Sequence, residues 1–168
     1  MVGEKVILVR KATQKEIQAV VDLSIALFRE DAGQRDPFMN LNWPRQEGKE
    51  YYTGMALGED SVCLIAEVDG AVVGFLTGYT SKPDSLRPVQ LAELESMFVE
   101  REFRGQQVGT RLATGFLAWC QEKGAQRVSV TAYASNVRAV EFYRRLGFEP
   151  RNVTLEMSLE DLDNVTSL

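Results

Sequence analysis

The chain has 168 residues, of which 45% are hydrophobic and 26% are charged, enough for one well-buried core in a soluble domain and short for two. The formal net charge of −5 argues against a general binder of nucleic acids or anionic membranes. The chain has no histidine and two widely separated cysteines, Cys63 and Cys120, which excludes Cys/His zinc sites and histidine-based catalysis.

The first third of the chain predicts, in order, a strand, a helix, a loop and a second helix: residues 5–13, 16–30, 31–46 and 47–57. Apolar side chains recur at helical spacing in the first helix, and Thr13 with Glu16 forms a capping box at its start. The loop has no clear period and carries two prolines. Long loops in compact domains are often functional.

The remainder predicts a hairpin, a strand, a helix, a strand, a helix and a possible closing strand: residues 61–80, 89–99, 107–123, 128–133, 136–146 and 153–159. Asp69 and Gly70 supply the positive φ angles of a tight hairpin turn. Gly124 and Gly147 end the two helices. No repeat or linker divides the chain, so the pattern predicts one mixed α/β domain over residues 1–168.

Neither a leader peptide nor an apolar run of membrane-spanning length is evident in the sequence. With few cysteines and no leader, a reduced cytoplasmic setting is expected.

A glycine-containing loop lies where the strand over residues 89–99 gives way to a helix. Its residues are Arg104, Gly105, Gln106, Gln107, Val108, Gly109 and Thr110. The first amides of a helix have no internal partner and carry the positive end of its dipole. Glycine allows a bulky anion to approach them, and Arg104 adds a formal charge, so the loop is a candidate phosphate site. The alternative is an ordinary helix start that contains glycine.

A second motif, ASNVRAVEFYRRLGF, places Asn136 and Tyr143 seven residues apart on one face of a helix. Asn136 is also a good helix cap, and a single tyrosine in a helix is more often a core residue than a catalyst. The motif becomes informative because it follows the glycine loop along the chain.

With these two motifs, the chain resembles the Gcn5-related N-acetyltransferases over roughly residues 62–148. The resemblance rests on the order of hairpin, strand, R-G-x-x-x-G-T helix, strand and N-x-x-A-x-x-F-Y-x-x-L-G-F helix. It implies an α/β fold with a mixed, mostly antiparallel central sheet, flanked by helices and splayed where acetyl-coenzyme A binds between two strands. It also implies an acetyl-coenzyme A-dependent N-acetyltransferase that needs no metal.

The resemblance further assigns cofactor contacts. The amides of the loop from Gly105 to Thr110 would hold the pyrophosphate, and Asn136 would contact the cofactor. The pantetheine arm would pair with backbone groups of Met97, Phe98 and Val99. Tyr143 would lie beside the thioester sulphur and act as the acid.

One departure from the family pattern is Gln107, where a third glycine is usual. Its side chain narrows the approach to the phosphates, although its backbone amide remains available.

Acetyl transfer to an amine requires a neutral amine, and a lysine-type amine with a pKa near 10.4 is almost entirely charged at pH 7. A base is therefore useful, directly or through water. Strand alternation puts Glu93, Glu95, Met97 and Val99 on one face, so the two glutamates are candidate bases. A solvated strand face is the alternative. Some relatives carry a catalytic glutamate where this chain has Thr131, which leaves Tyr133 as a weaker candidate.

The sequence does not identify the acceptor amine. Residues 31–52 mix acidic and aromatic side chains, which suits a cation with apolar parts. A polyamine, an aminoglycoside-like amine, an amino acid or a peptide amine would fit. Two further interpretations compete with the enzyme: an acetyl-coenzyme A sensor without catalysis, and a structural interaction domain. The resemblance also makes a homodimer plausible.

Overall fold

The computed structural model describes residues 6–161 and contains one five-stranded sheet in the order β1-β2-β3-β4-β5. The strands are β1 Ile7–Lys11, β2 Ser61–Val68, β3 Ala71–Ser81, β4 Leu91–Val99 and β5 Arg127–Val130. The first four strands pair antiparallel, and β5 runs parallel to β4. This arrangement confirms the expected mixed, mostly antiparallel sheet.

Six helices accompany the sheet in this part of the chain: α1 Ile17–Glu30, α2 Ala32–Arg35, α3 Trp43–Gln46, α4 Gly48–Leu57, α5 Val108–Glu122 and α6 Val137–Arg145. The long helices lie within a residue or two of their predicted bounds. The predicted loop over residues 31–46 is partly wrong, because it contains α2 and α3. Each has only four residues, too few to produce a recognisable helical period.

The sheet separates two apolar clusters. On one face, α1 and α4 cover side chains such as Ile65, Phe75 and Phe98. On the other face, α5 packs Leu112 and Phe116 against side chains from β2, β3 and β4. The amphipathic pattern of α1 and α5 is therefore explained by one buried face on each helix. No helix between residues 6 and 161 has the combined length and apolar character needed to cross a membrane.

The predicted turn signals are confirmed by backbone geometry. Asp69 and Gly70 have φ angles of 51° and 81° in the hairpin turn between β2 and β3. Both angles are positive, as the two-residue turn requires. At the start of α1, the Glu16 carboxylate accepts the backbone N–H of Thr13 at 2.8 Å, which is one half of the predicted capping box.

Two predictions at the strands differ from the structure. β5 ends at Val130, three residues before the predicted end of that strand. The predicted closing strand over residues 153–159 is wrong, because this segment pairs with no strand of the described chain. Its alternating apolar pattern is not completed by pairing, although the outer edge of β5 has no strand beside it in the described chain. For the first strand, β1 covers Ile7–Lys11, and residue 5 lies outside the described residues.

Candidate active site

The two parallel strands part halfway along β4. Their pairing runs from Leu91 opposite Arg127 to Leu94 opposite Val130, where β5 ends. Beyond this point β4 continues to Val99 and pairs only with β3. One edge of β4 therefore presents backbone groups that no other strand of the described chain takes up, and such groups need a partner when buried. This is the splayed sheet that the sequence led us to expect.

A β-bulge lies where the strands part. Thr77 of β3 is opposite Ser96 and Gly78 is opposite Leu94, so Glu95 is an extra residue on β4. A bulge shifts the alternation of side chains by one residue. Consequently Met97 and Val99 pack on the α5 side, although strict alternation predicted them on the same face as the two glutamates. That part of the prediction is wrong, since a bulge leaves no signal in the strand pattern.

The three residues predicted to pair with the pantetheine arm, Met97, Phe98 and Val99, form the end of β4 beyond the bulge. Their position on a half-paired strand fits that role. The carbonyl of Val99, however, already accepts the Nε–H of Arg104 at 2.7 Å.

The glycine loop forms the start of α5. Gly105 and Gln107 have φ angles of 73° and 68°, in the left-handed region that favours glycine. Arg111 N–H makes the first helical bond, to the carbonyl of Gln107 at 2.9 Å. The N–H groups of Val108, Gly109 and Thr110 thus precede the helical ladder and have no acceptor within it. The loop therefore has the geometry of an anion site. Gln107, which stands where the family usually has a glycine, adopts a positive φ angle that glycine favours.

Arg104 does not leave its charge free for an anion. Its guanidinium makes two contacts with the carboxylate of Glu30, at 2.6 and 3.1 Å, and lies 5.1 Å from the ring centre of Phe98. The hydrogen bond from Arg104 holds the pKa of Glu30 below its usual value. We expected this arginine to add positive charge to the loop. The structure instead pairs it with α1, so that its charge is compensated.

Asn136 caps α6, as its position at the helix start suggested. Its side-chain oxygen accepts the N–H of Ala139 at 3.1 Å, and its Nδ2 donates to Asp31 Oδ1 at 2.9 Å. Asp31 also receives the Arg35 guanidinium at 3.0 Å. The end of α1 is therefore bonded to α6 on the far side of the parted strands. Sequence reasoning missed this contact of Asp31, since nothing in the pattern links residues 105 positions apart.

Tyr143 lies on α6 and packs against the apolar cluster under α5. Its ring is edge-on to those of Phe142 and Phe148, at centroid distances of 5.3 and 5.7 Å. Burial, aided by the charge of Asp31, raises the pKa of Tyr143 to about 12. The hydroxyl consequently stays protonated at neutral pH. A phenol in that state can donate a proton to a leaving group.

The two candidate bases both face α1 and α4. Glu93 accepts the hydroxyl of Tyr79 at 2.8 Å. Glu95 accepts hydrogen bonds on both carboxylate oxygens, from Tyr51 and, at 3.2 Å, from Thr77. Glu95 is exposed and immediately follows the last paired residue of β4 and β5, whereas Glu93 is half-buried within the paired region.

Tyr51, which donates a hydrogen bond to Glu95, belongs to an aromatic group on this face. Trp43 stacks on Phe28 at 5.7 Å and meets the edge of Tyr51 at 5.2 Å. The hydroxyl of Tyr133 lies 3.4 Å from Asp36 Oδ2, and burial raises its pKa. Residues 31–52 thus bring both acids and aromatics to the parted strands. The aromatic face beside a carboxylate suits a cationic group.

Both cysteines are unsuited to nucleophilic catalysis. Cys63 and Cys120 are buried as free thiols. Burial raises their pKa values to about 12 and about 11. Since the thiolate is the nucleophile, neither residue is poised to carry an acetyl group.

The parted strands, the helix start with free amides and the capped helix that carries the half-buried Tyr143 lie close together, since Gly109 of α5 is next to both Val99 of β4 and Phe142 of α6. Residues 19–148 match the family model described as the acetyltransferase (GNAT) family. The chain belongs to this family, which confirms the resemblance seen in its motifs.

Individual relatives agree with this assignment. An uncharacterised N-acetyltransferase of Methanocaldococcus jannaschii is 25% identical over 145 residues, which are 86% of this chain and 62% of the relative. The chain thus spans less than two thirds of that protein.

Among solved structures, a mutant of the BH1408 protein from Bacillus halodurans has a TM-score of 0.75 at 17% identity, covering 90% of this chain and 99% of that one. The aminoglycoside N-acetyltransferase AAC(6')-Iy, solved in complex with CoA, has a TM-score of 0.70 at 18% identity, covering 95% of this chain and 99% of that one. At these identities, the two similarities show a shared fold.

Proposed function

We propose that the protein transfers the acetyl group of acetyl-coenzyme A to a primary amine by direct attack, without an acetylated enzyme. The observation that carries the proposal is the unpaired edge of β4 beyond Leu94, with the start of α5 beside its end. The family match supports acetyl transfer, and the CoA complex of AAC(6')-Iy supports the same cofactor.

Different groups of the chain would bind different parts of acetyl-coenzyme A. The amides of Val108, Gly109 and Thr110, with those of Gly105, Gln106 and Gln107, would bind the pyrophosphate through the positive end of α5. Backbone groups of Met97 and Phe98 would pair with the pantetheine amides along the open edge. Arg104 would act by holding the loop against α1 and β4, and Asn136 by fixing the start of α6.

Proton transfer falls to two groups on opposite sides of the cleft. Glu95 is our choice as base, directly or through water, because it is exposed and lies where the strands part. It would take a proton from the amine as the nitrogen attacks the thioester carbonyl. Glu93 stays the second candidate, since Tyr79 holds it within the paired region. Tyr143 would donate its phenolic proton to the departing thiolate.

The acceptor would be a cationic amine with apolar parts. Support comes from the aromatic group of Phe28, Trp43 and Tyr51 next to the Glu95 carboxylate. A small polyamine or aminoglycoside-like amine and a peptide amine both satisfy this chemistry.

A second candidate function is acetyl-coenzyme A sensing without catalysis. It is favoured by Gln107 in the left-handed region of the loop and by the occupation of both Glu95 oxygens by hydroxyl donors.

The test measures CoA release from acetyl-coenzyme A with polyamines, aminoglycosides, amino acids and peptides, alongside calorimetric binding of acetyl-coenzyme A. Turnover with one amine class supports the enzyme and identifies its acceptor. Saturable binding without turnover favours the sensor. Absence of binding would contradict both. Mass spectrometry of the protein after incubation with acetyl-coenzyme A alone checks direct attack, for which no stable acetyl adduct is expected.

A further inference from the structure

The side chain of Glu95 is anchored differently from that of the other glutamate on its strand face. Glu93 lies directly opposite Tyr79 of β3 and accepts its hydroxyl, so a cross-strand neighbour holds it. Glu95 is the extra residue of the bulge, and no residue of β3 lies opposite it. A bulge redirects a side chain but gives it no such neighbour. The exposed carboxylate of Glu95 therefore depends on other contacts for its orientation.

Two hydroxyl groups from different elements supply these contacts. Tyr51 of α4 donates to one carboxylate oxygen of Glu95, and Thr77 of β3 donates to the other at 3.2 Å. Thr77 is fully buried, with 0% of its surface exposed. Because a buried hydroxyl needs a hydrogen-bond partner, its bond to Glu95 is one that the fold strongly favours. The carboxylate is thus held from both of its oxygens.

The ring of Tyr51 is itself held in place by its neighbours. Trp43 and Tyr52 meet it edge-on, at centroid distances of 5.2 and 5.4 Å. Such contacts restrict the orientation of the ring and so direct its hydroxyl at Glu95. Burial, followed by the hydrogen bond to Glu95, raises the pKa of Tyr51. The phenol consequently remains a donor at neutral pH.

These two hydrogen bonds leave Glu95 able to accept a proton. An ionised carboxylate offers about four lone-pair sites, and the two hydroxyls take one site on each oxygen. Within residues 6–161, no arginine or lysine forms an ion pair with Glu95. Its negative charge is therefore oriented without being compensated. This combination suits a group that takes a proton from an amine.

We propose that Tyr51 and Thr77 are positioning residues of the transfer reaction, whose hydroxyls hold the Glu95 carboxylate where it accepts the proton of the acceptor amine. This role rests on the proposed function, in which Glu95 is the base. The proton passes from the amine nitrogen to a remaining lone pair of Glu95, and both hydroxyls keep their own protons. A base must lie within hydrogen-bond reach of the proton that it takes, and a small misplacement slows the reaction strongly.

A double-mutant cycle in steady-state kinetics, with the amine class that gives turnover, tests the proposal. Tyr51→Phe keeps the ring and removes the hydroxyl, so kcat should fall about 10-fold while the KM for acetyl-coenzyme A stays within a factor of about two. In a Glu95→Gln background, the same change should lower kcat by less than about two-fold, because Tyr51 acts through Glu95. The matched control is Tyr52→Phe, which should leave kcat unchanged since its hydroxyl pairs with Ser24.

A second variant and a second measurement apply if Tyr51→Phe fails to fold. Thr77→Val removes the other hydroxyl and should lower kcat by about 3-fold to 10-fold, whereas Thr77→Ser keeps a hydroxyl and should retain most of the activity. Carbon-13 NMR of the glutamate carboxylates needs no turnover, and Glu95→Gln assigns the signal of Glu95. This signal should move in Tyr51→Phe and in Thr77→Val, and it should stay in place in Tyr52→Phe.

The outcomes separate the positioning role from the proposed function. Turnover by the unmodified chain, with equal effects of Tyr51→Phe in both backgrounds, would overturn the positioning role alone, because a merely structural effect is additive. A carboxylate signal of Glu95 that moves in neither hydroxyl variant would overturn it as well. Absence of turnover by the unmodified chain with every amine would refute the proposed function, and the positioning role with it.

Discussion

The chain up to Cys120 and the chain after it are buried very differently. Every buried residue of the described structure lies between Ala12 and Cys120, and none lies in residues 121–160. Yet the later region carries Asn136 and Tyr143, two of the residues predicted to serve the cofactor. The first region contains all of the buried core, whereas the second packs on it as a half-covered layer. A ligand that binds to such a layer stabilises it, and we expect the proposed cofactor to do so.

The largest expected effect comes from matched aromatic deletions in the two regions. Phe116→Ala removes a fully buried ring from the core and should lower the free energy of unfolding by about 4 kcal/mol. Phe142→Ala removes a half-buried ring on α6 and should cost about 1–2 kcal/mol. Urea denaturation followed by circular dichroism measures both. Equal losses would show that the second region is as well covered in solution as the first.

Next in size is the effect of removing the proposed acid. Tyr143→Phe keeps the ring that packs against the core but removes the hydroxyl, so turnover should fall about 100-fold or more. Binding of acetyl-coenzyme A should stay within about a factor of two or three, because the loop at α5 is untouched. Tyr133→Phe is the control and should change turnover far less. Unchanged turnover in Tyr143→Phe would remove its role as acid.

The ion pair between Arg104 and Glu30, within the first region, should contribute less. Arg104→Gln and Glu30→Gln each break a partly buried, two-contact pair, and each should lower stability by about 1–2 kcal/mol. A double-mutant cycle measures the coupling. If Arg104 instead serves the cofactor directly, Glu30→Gln would leave it free and tighten acetyl-coenzyme A binding, contrary to our expectation.

A stabilising change is expected in the loop itself. Gln107 has a φ of 68°, which a side chain disfavours by roughly 1 kcal/mol. Gln107→Gly should therefore raise stability by about that amount and tighten acetyl-coenzyme A binding, measured by thermal melting and calorimetry. Gln106→Gly, at a neighbouring position without positive φ, should give no gain. An equal gain at both positions would exclude backbone strain as the cause.

The smallest effect concerns pH and lies wholly in the first region. Hydrogen bonds from Arg10, then from Thr13, lower the pKa of Glu16 from 4.5 to about 2. A carboxylate with a lowered pKa in the folded state stabilises the fold above its unfolded pKa, and that contribution disappears as the pH falls from 4.5 towards 2. Glu16→Gln should flatten the stability profile in this window, by less than about 1 kcal/mol because the pair lies near the surface. An unchanged profile would contradict the assignment.

Much of the fold follows from local rules. The helical period of α1, the Asp69–Gly70 turn and the glycine stops at Gly124 and Gly147 depend on neighbouring residues, and all were predicted. Features that depend on distant contacts were not. The bulge at Glu95, which moves Met97 and Val99 to the other face, arises from pairing with β3. The placement of Arg104 against Glu30 requires α1 to meet a loop 74 residues away.

The second region shows the same limit at its end. Residues 153–159 alternate as a strand should, but alternation indicates only which face is apolar and not whether the segment pairs with another strand. The motif at Asn136 predicted a helix cap correctly because capping is local. The bond from Asn136 to Asp31 depends on the whole fold, and no spacing rule leads to it.

Glu30 and Asp31 are consecutive residues, and one is bonded to the α5 loop through Arg104 while the other is bonded to α6 through Asn136. The α5 loop and the start of α6, which lie on the two sides of the proposed cleft, are therefore both held by two adjacent residues at the end of α1. The segment over residues 37–46 begins a few residues after this anchor and ends before α4. The side chains of residues 37–42 are exposed and take part in neither bond, so they can differ between homologous proteins without disturbing these two contacts. If the proposed function is correct, we expect a library that varies these residues while keeping Glu30 and Asp31 to change the choice of acceptor and to preserve acetyl-coenzyme A binding.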